Sequence, residues 1–203
     1  THSKFQEDRA SIQRWLLHSL LKASGIWGSG LDTLLTALRE KIETHYEDGF
    51  PSTELRAVMA DRGKSLTFSD EEIEKLVYLR YGDKRTFALL ATLFPFVDLR
   101  NQFHVDHVFP ISRFTMAKLR KLGFGDEEAS ELQELANELP NLQLLEGPMN
   151  NEKRAKLPLP WLEDTYQGDA IKRQSYVDRH LLGDLPDNID GFREFATVRR
   201  EML

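Results

Sequence analysis

Asp106 and His107 stand together in the run Phe103-His104-Val105-Asp106-His107-Val108-Phe109-Pro110. Two asparagines follow further along the chain: Asn141, before Leu142-Gln143-Leu144-Leu145, and Asn150, which opens Asn150-Asn151-Glu152-Lys153. A carboxylate and an amide carbonyl are oxygen donors suited to Mg²⁺, which keeps several waters and binds through one or two carboxylates together with phosphate oxygens. An imidazole with an unperturbed pKa of about 6.5 is largely neutral at pH 7 and can take a proton from an attacking water. A divalent cation that neutralises charge in the transition state and on the leaving oxygen completes the set. The chemistry these residue types suit is hydrolysis of a phosphodiester.

Particular elements must bring them together. Phe103, Val105, Val108 and Phe109 are strand formers, and Pro110 cannot continue a ladder, so the first segment predicts a short strand ending near His107. Neighbouring strand side chains point to opposite faces, so Asp106 and His107 serve one centre only where the pleat breaks. His104 shares a face with Asp106, where it either packs or acts as a supporting or alternative ligand. The apolar run after Asn141 predicts a second strand paired with the first. Gly147-Pro148 turns the chain into a short helix from about Pro148 to Lys156, stopped by Pro158. Asn150 falls in the first turn of that helix, with Lys153 and Arg154 on its face.

Asp106-His107-Val108-Phe109-Pro110, then Asn141, then Asn150-Asn151-Glu152-Lys153, resembles the HNH (ββα-metal) nuclease motif. The segment from His104 to Trp161 is similar to the HNH domain at the C-terminal end of the GmrSD and SspE type of bacterial anti-phage DNA nucleases. The resemblance implies a metal-dependent DNA endonuclease or nickase, cytoplasmic and bacterial, that acts in phage defence or restriction. It implies His107 as general base, Asp106 and Asn150 as ligands of one divalent metal (Mg²⁺, with Mn²⁺ as substitute), and Asn141 as the residue that braces the loop and orients the histidine. Lys153 matches the basic residue three positions after the second ligand, and Lys153 or Arg154 is expected to steady a flanking phosphate. Asn151 competes for the ligand role, and the Asn-x-x-Lys spacing favours Asn150. A sensor or nucleotide-hydrolysing domain at the N-terminal side is the implied partner, alongside DNA. Each residue also has an ordinary structural use: Asp106 as a turn carboxylate, His107 as a packed histidine, the asparagines as turn and cap residues. The rival function is a non-catalytic helical module that binds DNA or a partner domain through a degenerate ββα unit. An RNA nuclease with the same chemistry is a third reading.

The chain has 203 residues, of which 40% are hydrophobic, enough for a real core in one domain or two small ones. No run of eighteen apolar residues occurs and no signal-peptide pattern opens the chain, so no membrane partner is expected. The absence of cysteine excludes disulfides and any Cys-based zinc knuckle, leaving packing alone to hold the site. The start at Thr1 leads to the expectation of a further N-terminal portion. A net charge of −6 counts against a dedicated nucleic-acid binder, because duplex affinity comes largely from cations that neutralise phosphates. Its distribution is uneven. The acids Asp126, Glu127, Glu128, Glu131, Glu134 and Glu138 form one stretch, whereas Arg113, Lys118, Arg120 and Lys121, and then Lys153, Arg154 and Lys156, lie in the candidate segment. Such runs are otherwise solvated helix faces.

The fold expected is mostly α: a helical domain with an embedded small ββα-metal unit. Residues 1–100 read as a helical platform, 101–162 as the nuclease unit with a helical insertion, and 163–203 as a C-terminal helical segment, packed as one compact domain. Within the platform, helices are expected over residues 5–23 (stripe Ile12, Trp15, Leu16, Leu20; ended by Ser24-Gly25), 31–47 (Leu34, Leu35, Leu38, Ile42) and 52–61. Ser69-Asp70-Glu71-Glu72 is a capping box opening a fourth, with Ile73, Leu76, Val77 and Tyr81 inward, and residues 85–94 make a fifth. Gly28-Ser29-Gly30 lacks a following Gly-Lys-Ser/Thr and is a turn rather than a phosphate loop. Two helices, 114–122 and 126–139, separate the halves of the site. Beyond Trp161, helices are expected over 175–182 and 191–202, the latter with a Phe192, Phe195, Val198 stripe. Lys172, Arg173 and Arg179 are further substrate-face candidates.

Overall fold

The computed structural model describes residues 6–22, 25–45 and 47–203; Phe5, Ala23 and Ser24, at the edges of the first expected helix, lie outside them. Among the described residues helix accounts for 59% and strand for one two-stranded antiparallel sheet, which establishes the mostly α class. None of the described helices is long and apolar enough to cross a membrane.

Helices α1 (Gln6–Leu21), α2 (Leu31–His45), α3 (Ser52–Asp61) and α4 (Asp70–Leu76) come first. The capping box that opens α4 is formed in both directions: the Ser69 N–H donates to Glu72 Oε2 at 2.9 Å, and the Glu72 N–H donates to Ser69 Oγ at 3.2 Å. Two compact units divide between Ile73 and Glu74, inside α4. The next helix, α5 (Thr86–Leu93), therefore belongs with the second unit rather than with the helices before it.

The first unit packs Ile26, Leu34, Leu38, Leu55, Met59 and Leu66 into a core that Trp15, Trp27 and Phe50 close from one side. Of the stripe expected on helix α1, Trp15 packs on the core while the other members do not. Leu17, Ser19 and Leu21 are buried, and Ile12, Leu16 and Leu20 are exposed. Both faces of α1 carry apolar residues, and periodicity finds a stripe without saying which one is covered. In the same way Leu34 and Leu38 of α2 are buried while Leu35 and Ile42 are exposed, and Ile73 of α4 is exposed beside buried Leu76.

In the second unit, strand β1 (Phe103–His107) is followed by short helices α6 (Met116–Lys121) and α7 (Asp126–Leu135), a 3₁₀ turn over Leu139–Asn141, strand β2 (Leu142–Glu146) and α8 (Gly147–Lys153). The register pairs Phe103 with Glu146, His104 with Leu145, Val105 with Leu144, Asp106 with Gln143 and His107 with Leu142. Helix α8 is shorter than expected: it ends at Arg154, which takes a positive φ of 48°. Pro158 does not stop α8 but opens α9 (Pro158–Tyr166), because at the first helical position its missing N–H costs nothing and its φ is already helical. α10 (Ala170–Arg179) and α11 (Phe192–Met202) complete the chain.

The core of this unit stacks Phe109 and Phe114 against Phe192 of α11, at ring separations of 5.4 and 4.5 Å, with Phe195 5.0 Å from Phe109. The residues just after His107 are thereby nailed to the C-terminal helix. Arg199 of α11 is fully buried and replaces the expected Val198 on the inner face; its guanidinium donates to the carbonyls of Pro140, Leu181 and His180 at 2.7, 3.0 and 3.2 Å.

His180 lies among rings: stacked on Tyr176 at 4.0 Å, 4.9 Å from Phe96 and 5.8 Å from Phe94. Burial, with Arg179 and Arg199 nearby, holds its imidazole down to about 3, and its buried Nδ1 has no hydrogen-bond partner. The unfolded chain therefore takes up this proton first. The stabilisation is complete above pH 6.5 and is lost as pH falls from there toward 3, at a slope approaching about 1.4 kcal/mol per pH unit. His180→Phe is expected to remove that share of the pH dependence, so in urea denaturation the native chain should lose stability more steeply than the variant as pH is lowered from 7 to 4. Parallel curves would mean that His180 titrates alike in both states.

Candidate functional site

The site is built from β1 and, beyond the connecting helices α6 and α7, from β2 and α8 in direct succession, with α8 packed on both β1 and β2. Its polar centre is more buried than open surface chemistry needs.

Lys153 is entirely buried, although lysine is among the residues least often found so. Its Nζ lies 2.9 Å from Asp106 Oδ2 and donates to the His107 carbonyl at 2.5 Å. Burial pulls the ammonium below the usual lysine value and the Asp106 carboxylate opposes that pull. The Lys153 expected to steady a phosphate is thus not on an open face: its side chain passes inward and ties the last two residues of β1 to α8.

Gln143, opposite Asp106 in the register, donates through Nε2 to the same Oδ2 at 3.0 Å, and Tyr176 of α10 donates to Gln143 Oε1 at 2.9 Å. Oδ2 is fully engaged, and Oδ1 forms no hydrogen bond with another described residue. Asn150 lies one turn before Lys153 on the same face of α8, half-buried, and its side-chain amide likewise has no hydrogen-bond partner among the described residues. Asn151 is exposed. Oxygens of Asp106 and Asn150 are the donors left open for a cation. No cluster of three or more His, Cys, Asp or Glu able to hold a metal occurs among the described residues. Two oxygen donors of this kind would suit a hard, largely hydrated ion better than zinc.

His107 is buried beneath Tyr81, whose ring lies 4.5 Å away and tilted by 37°. Tyr81 is brought there by the chain segment around Arg80, which pairs with Glu138; the Tyr81 N–H donates to the Asn137 carbonyl at 2.7 Å. The Asn137 amide nitrogen donates to the Gln133 carbonyl at 3.2 Å, so its Oδ1 faces His107 Nε2 at 3.2 Å and accepts from it. That assigns the ring proton to Nε2 and leaves the Nδ1 lone pair as the acceptor. Burial lowers the His107 pKa, against the raising effects of the Asn137 hydrogen bond and Asp106 and with a further lowering by Lys153. The imidazole is neutral at pH 7.

Asn141 is fully buried and braces the turn after β1. Its Oδ1 accepts from the Phe109 N–H at 2.8 Å, its Nδ2 donates to the Phe109 and Ala136 carbonyls at 3.0 and 2.8 Å, and its own carbonyl accepts from Val108 N–H at 2.7 Å. It does not touch the histidine; Asn137 does. From sequence, Asn137 falls inside the helix expected over 126–139, whereas the helix ends at Leu135 and frees its side chain for His107.

Asp106 and His107 share no side-chain partner among the described residues; their link is Lys153, which touches the carboxylate of one and the carbonyl of the other, and His107 is the last residue of β1, where the strand ends. His104 is exposed, beside Gly147 at the start of α8, where a Cβ would meet His104 Nε2 at 3.7 Å. No family model matches this chain, and no curated protein matches it.

Arg154 is exposed at the end of α8, its Nε on the Asn151 carbonyl at 3.2 Å. Beside it, the Arg113 guanidinium makes two hydrogen bonds to the Ala155 carbonyl, at 3.1 and 2.9 Å, and Lys118 Nζ is anchored on the Ser112 carbonyl. Among the described residues none of these three cations pairs with a carboxylate. Others are compensated: Lys156 pairs with Asp164, Arg120 with Asp126, Lys172 with Asp169 and Arg173 with Glu163, while Arg179 lies over the Phe96 ring.

Proposed function

We propose that the chain is a metal-dependent DNA endonuclease or nickase of the HNH type, with His107 as general base. The observation that carries this reading is the pairing of β1 with β2 and the direct run of β2 into α8, with Asp106 and His107 at the end of the first strand and Asn150 on the helix. Asp106 Oδ1 and the Asn150 amide oxygen would hold one divalent cation of the Mg²⁺ class, with phosphate oxygens and water filling the rest of the shell. Such a cation, when bound, supplies charge stabilisation at the phosphoryl and leaving oxygens.

The chain's own residues do the remainder. His107, neutral and proton-bearing at Nε2, accepts the proton of the attacking water at Nδ1. Asn137 keeps the ring in that tautomer. Asn141 fixes the turn behind it. Arg154, Arg113 and Lys118 give the DNA backbone its electrostatic footing on an otherwise acidic protein. Lys153 neutralises Asp106 before any cation arrives, so substrate phosphate is needed to complete the site's charge balance. Action in bacterial phage defence or restriction, and control by an N-terminal sensor domain, rest on the motif resemblance alone.

The Lys153–Asp106 ion pair favours one rival, a DNA-binding unit in which the lysine has taken over the place of the cation. Incubation of supercoiled plasmid with the chain and Mg²⁺ or Mn²⁺ separates the two. Conversion to nicked or linear DNA, suppressed by EDTA, supports the nuclease; retarded but intact plasmid supports the binding unit. RNA cleaved as fast as DNA would move the substrate class. Within the nuclease reading, Asn137→Ala is expected to slow cleavage about fivefold, the kinetic equivalent of one hydrogen bond of about 1 kcal/mol. Single-turnover rates check this, and an unchanged rate removes Asn137 from the mechanism.

A further inference from the structure

We propose that Tyr176 and Gln143 are positioning residues for the cation site, a buried two-step brace that holds the Asp106 carboxylate with Oδ1 available to the ion. This rests on the reading of Asp106 as a ligand.

A glutamine amide can present either end to a neighbour, and at Asp106 the two ends have opposite consequences. Nε2 donates to the carboxylate, whereas Oε1 would repel it. The orientation is held from the other side. Tyr176 is 2% exposed, and its hydroxyl donates to Gln143 Oε1 at 2.9 Å. Burial pushes the Tyr176 phenol well above its usual value, so it stays protonated and remains a donor. The ionised carboxylate only accepts, so Nε2 turns to Asp106 Oδ2 at 3.0 Å, and the Tyr176 bond to Oε1 holds the amide in that orientation.

Lys153 Nζ lies on that same oxygen at 2.9 Å. Two donors on Oδ2, from β2 and α8, settle a torsion that is otherwise broad and two-fold in aspartate. The Tyr176 ring is itself fixed by the His180 stack at 4.0 Å and by an edge contact with Trp161 at 5.5 Å. An apolar pair of the same shape would fill the space without the desolvation of a buried amide and hydroxyl. What the polar pair adds is direction at the carboxylate. The C-terminal segment thereby reaches the site through one hydroxyl.

The test is Mn²⁺ binding to the full chain, followed by calorimetry, with urea denaturation in parallel. Tyr176→Phe is expected to weaken Mn²⁺ binding by about 10–100-fold, the range seen when partners that orient metal ligands are removed. Unchanged affinity overturns the proposal. The double variant Tyr176→Phe/Gln143→Met guards against mere loss of folding, since it strands no buried Gln143 oxygen and Lys153 still holds Asp106 Oδ2. It is expected to recover stability relative to Tyr176→Phe yet stay weak for Mn²⁺; recovery of both would make the pair purely structural and overturn the proposal. A native chain that takes up no Mn²⁺ at all overturns the cation site itself, a result distinct from a native chain that binds and a Tyr176→Phe variant that binds equally well.

Discussion

His107→Ala is expected to lower phosphodiester cleavage by about 10²–10⁴-fold, the contribution of a positioned general base, while the chain stays folded. The stability cost is modest: the variant gives up the hydrogen bond to Asn137, about 1 kcal/mol, and a ring contact with exposed Tyr81. Cation uptake should be nearly unaffected, since the imidazole is not among the donors assigned to the ion. The pattern of lost rate, retained fold and retained Mn²⁺ binding distinguishes a base from a ligand and from a core residue. Quantified nicking of supercoiled plasmid, with thermal unfolding and calorimetry on the same preparations, measures all three. Equal rates for His107→Ala and the native chain would remove the histidine from the chemistry.

Lys153→Ala is expected to cost about 3–5 kcal/mol of stability, the range for leaving one member of a buried ion pair without its partner. Asp106 is 15% exposed at its side chain and keeps the Gln143 hydrogen bond, which places the expected value toward the lower end. Lys153 also closes the gap between β1 and α8, so its truncation opens a cavity as well as stranding a charge. The doubled change Asp106→Asn/Lys153→Met removes both charges at similar volume, and it should recover part of the loss. A double-mutant cycle by urea denaturation gives the coupling directly. A cost below about 1 kcal/mol, the range of an exposed pair, would show that the lysine reaches solvent.

The burial of Lys153 was the feature least legible in the sequence. Its position three residues after Asn150 was visible, and the helical spacing correctly put the two on one face. Direction was not: a lysine beside an arginine and another lysine reads as part of a basic surface, and only the register of β1 against β2 shows that this face of α8 looks inward at Asp106. The order strand, strand, helix was readable because β-branched and aromatic residues, a proline stop and Gly147-Pro148 all point the same way. Pro158 is ambiguous in sequence because proline marks both the end of one helix and the first turn of the next. Asn137 and Tyr176 had no local signal: each gains its role from a partner far along the chain, His107 and Gln143 respectively. The covered face of α1 was open for a related reason, since two apolar stripes on one helix leave the choice to the neighbours.

The central claim is that Asp106 and Asn150 share one cation. Diffraction from crystals of the chain soaked in Mn²⁺, recorded for the metal's anomalous signal, tests it most directly. The expected result is a single strong peak bonded to Asp106 Oδ1 and the Asn150 amide oxygen, with Lys153 still on Oδ2. A peak elsewhere, or none while both side chains are ordered and apart, would contradict the account.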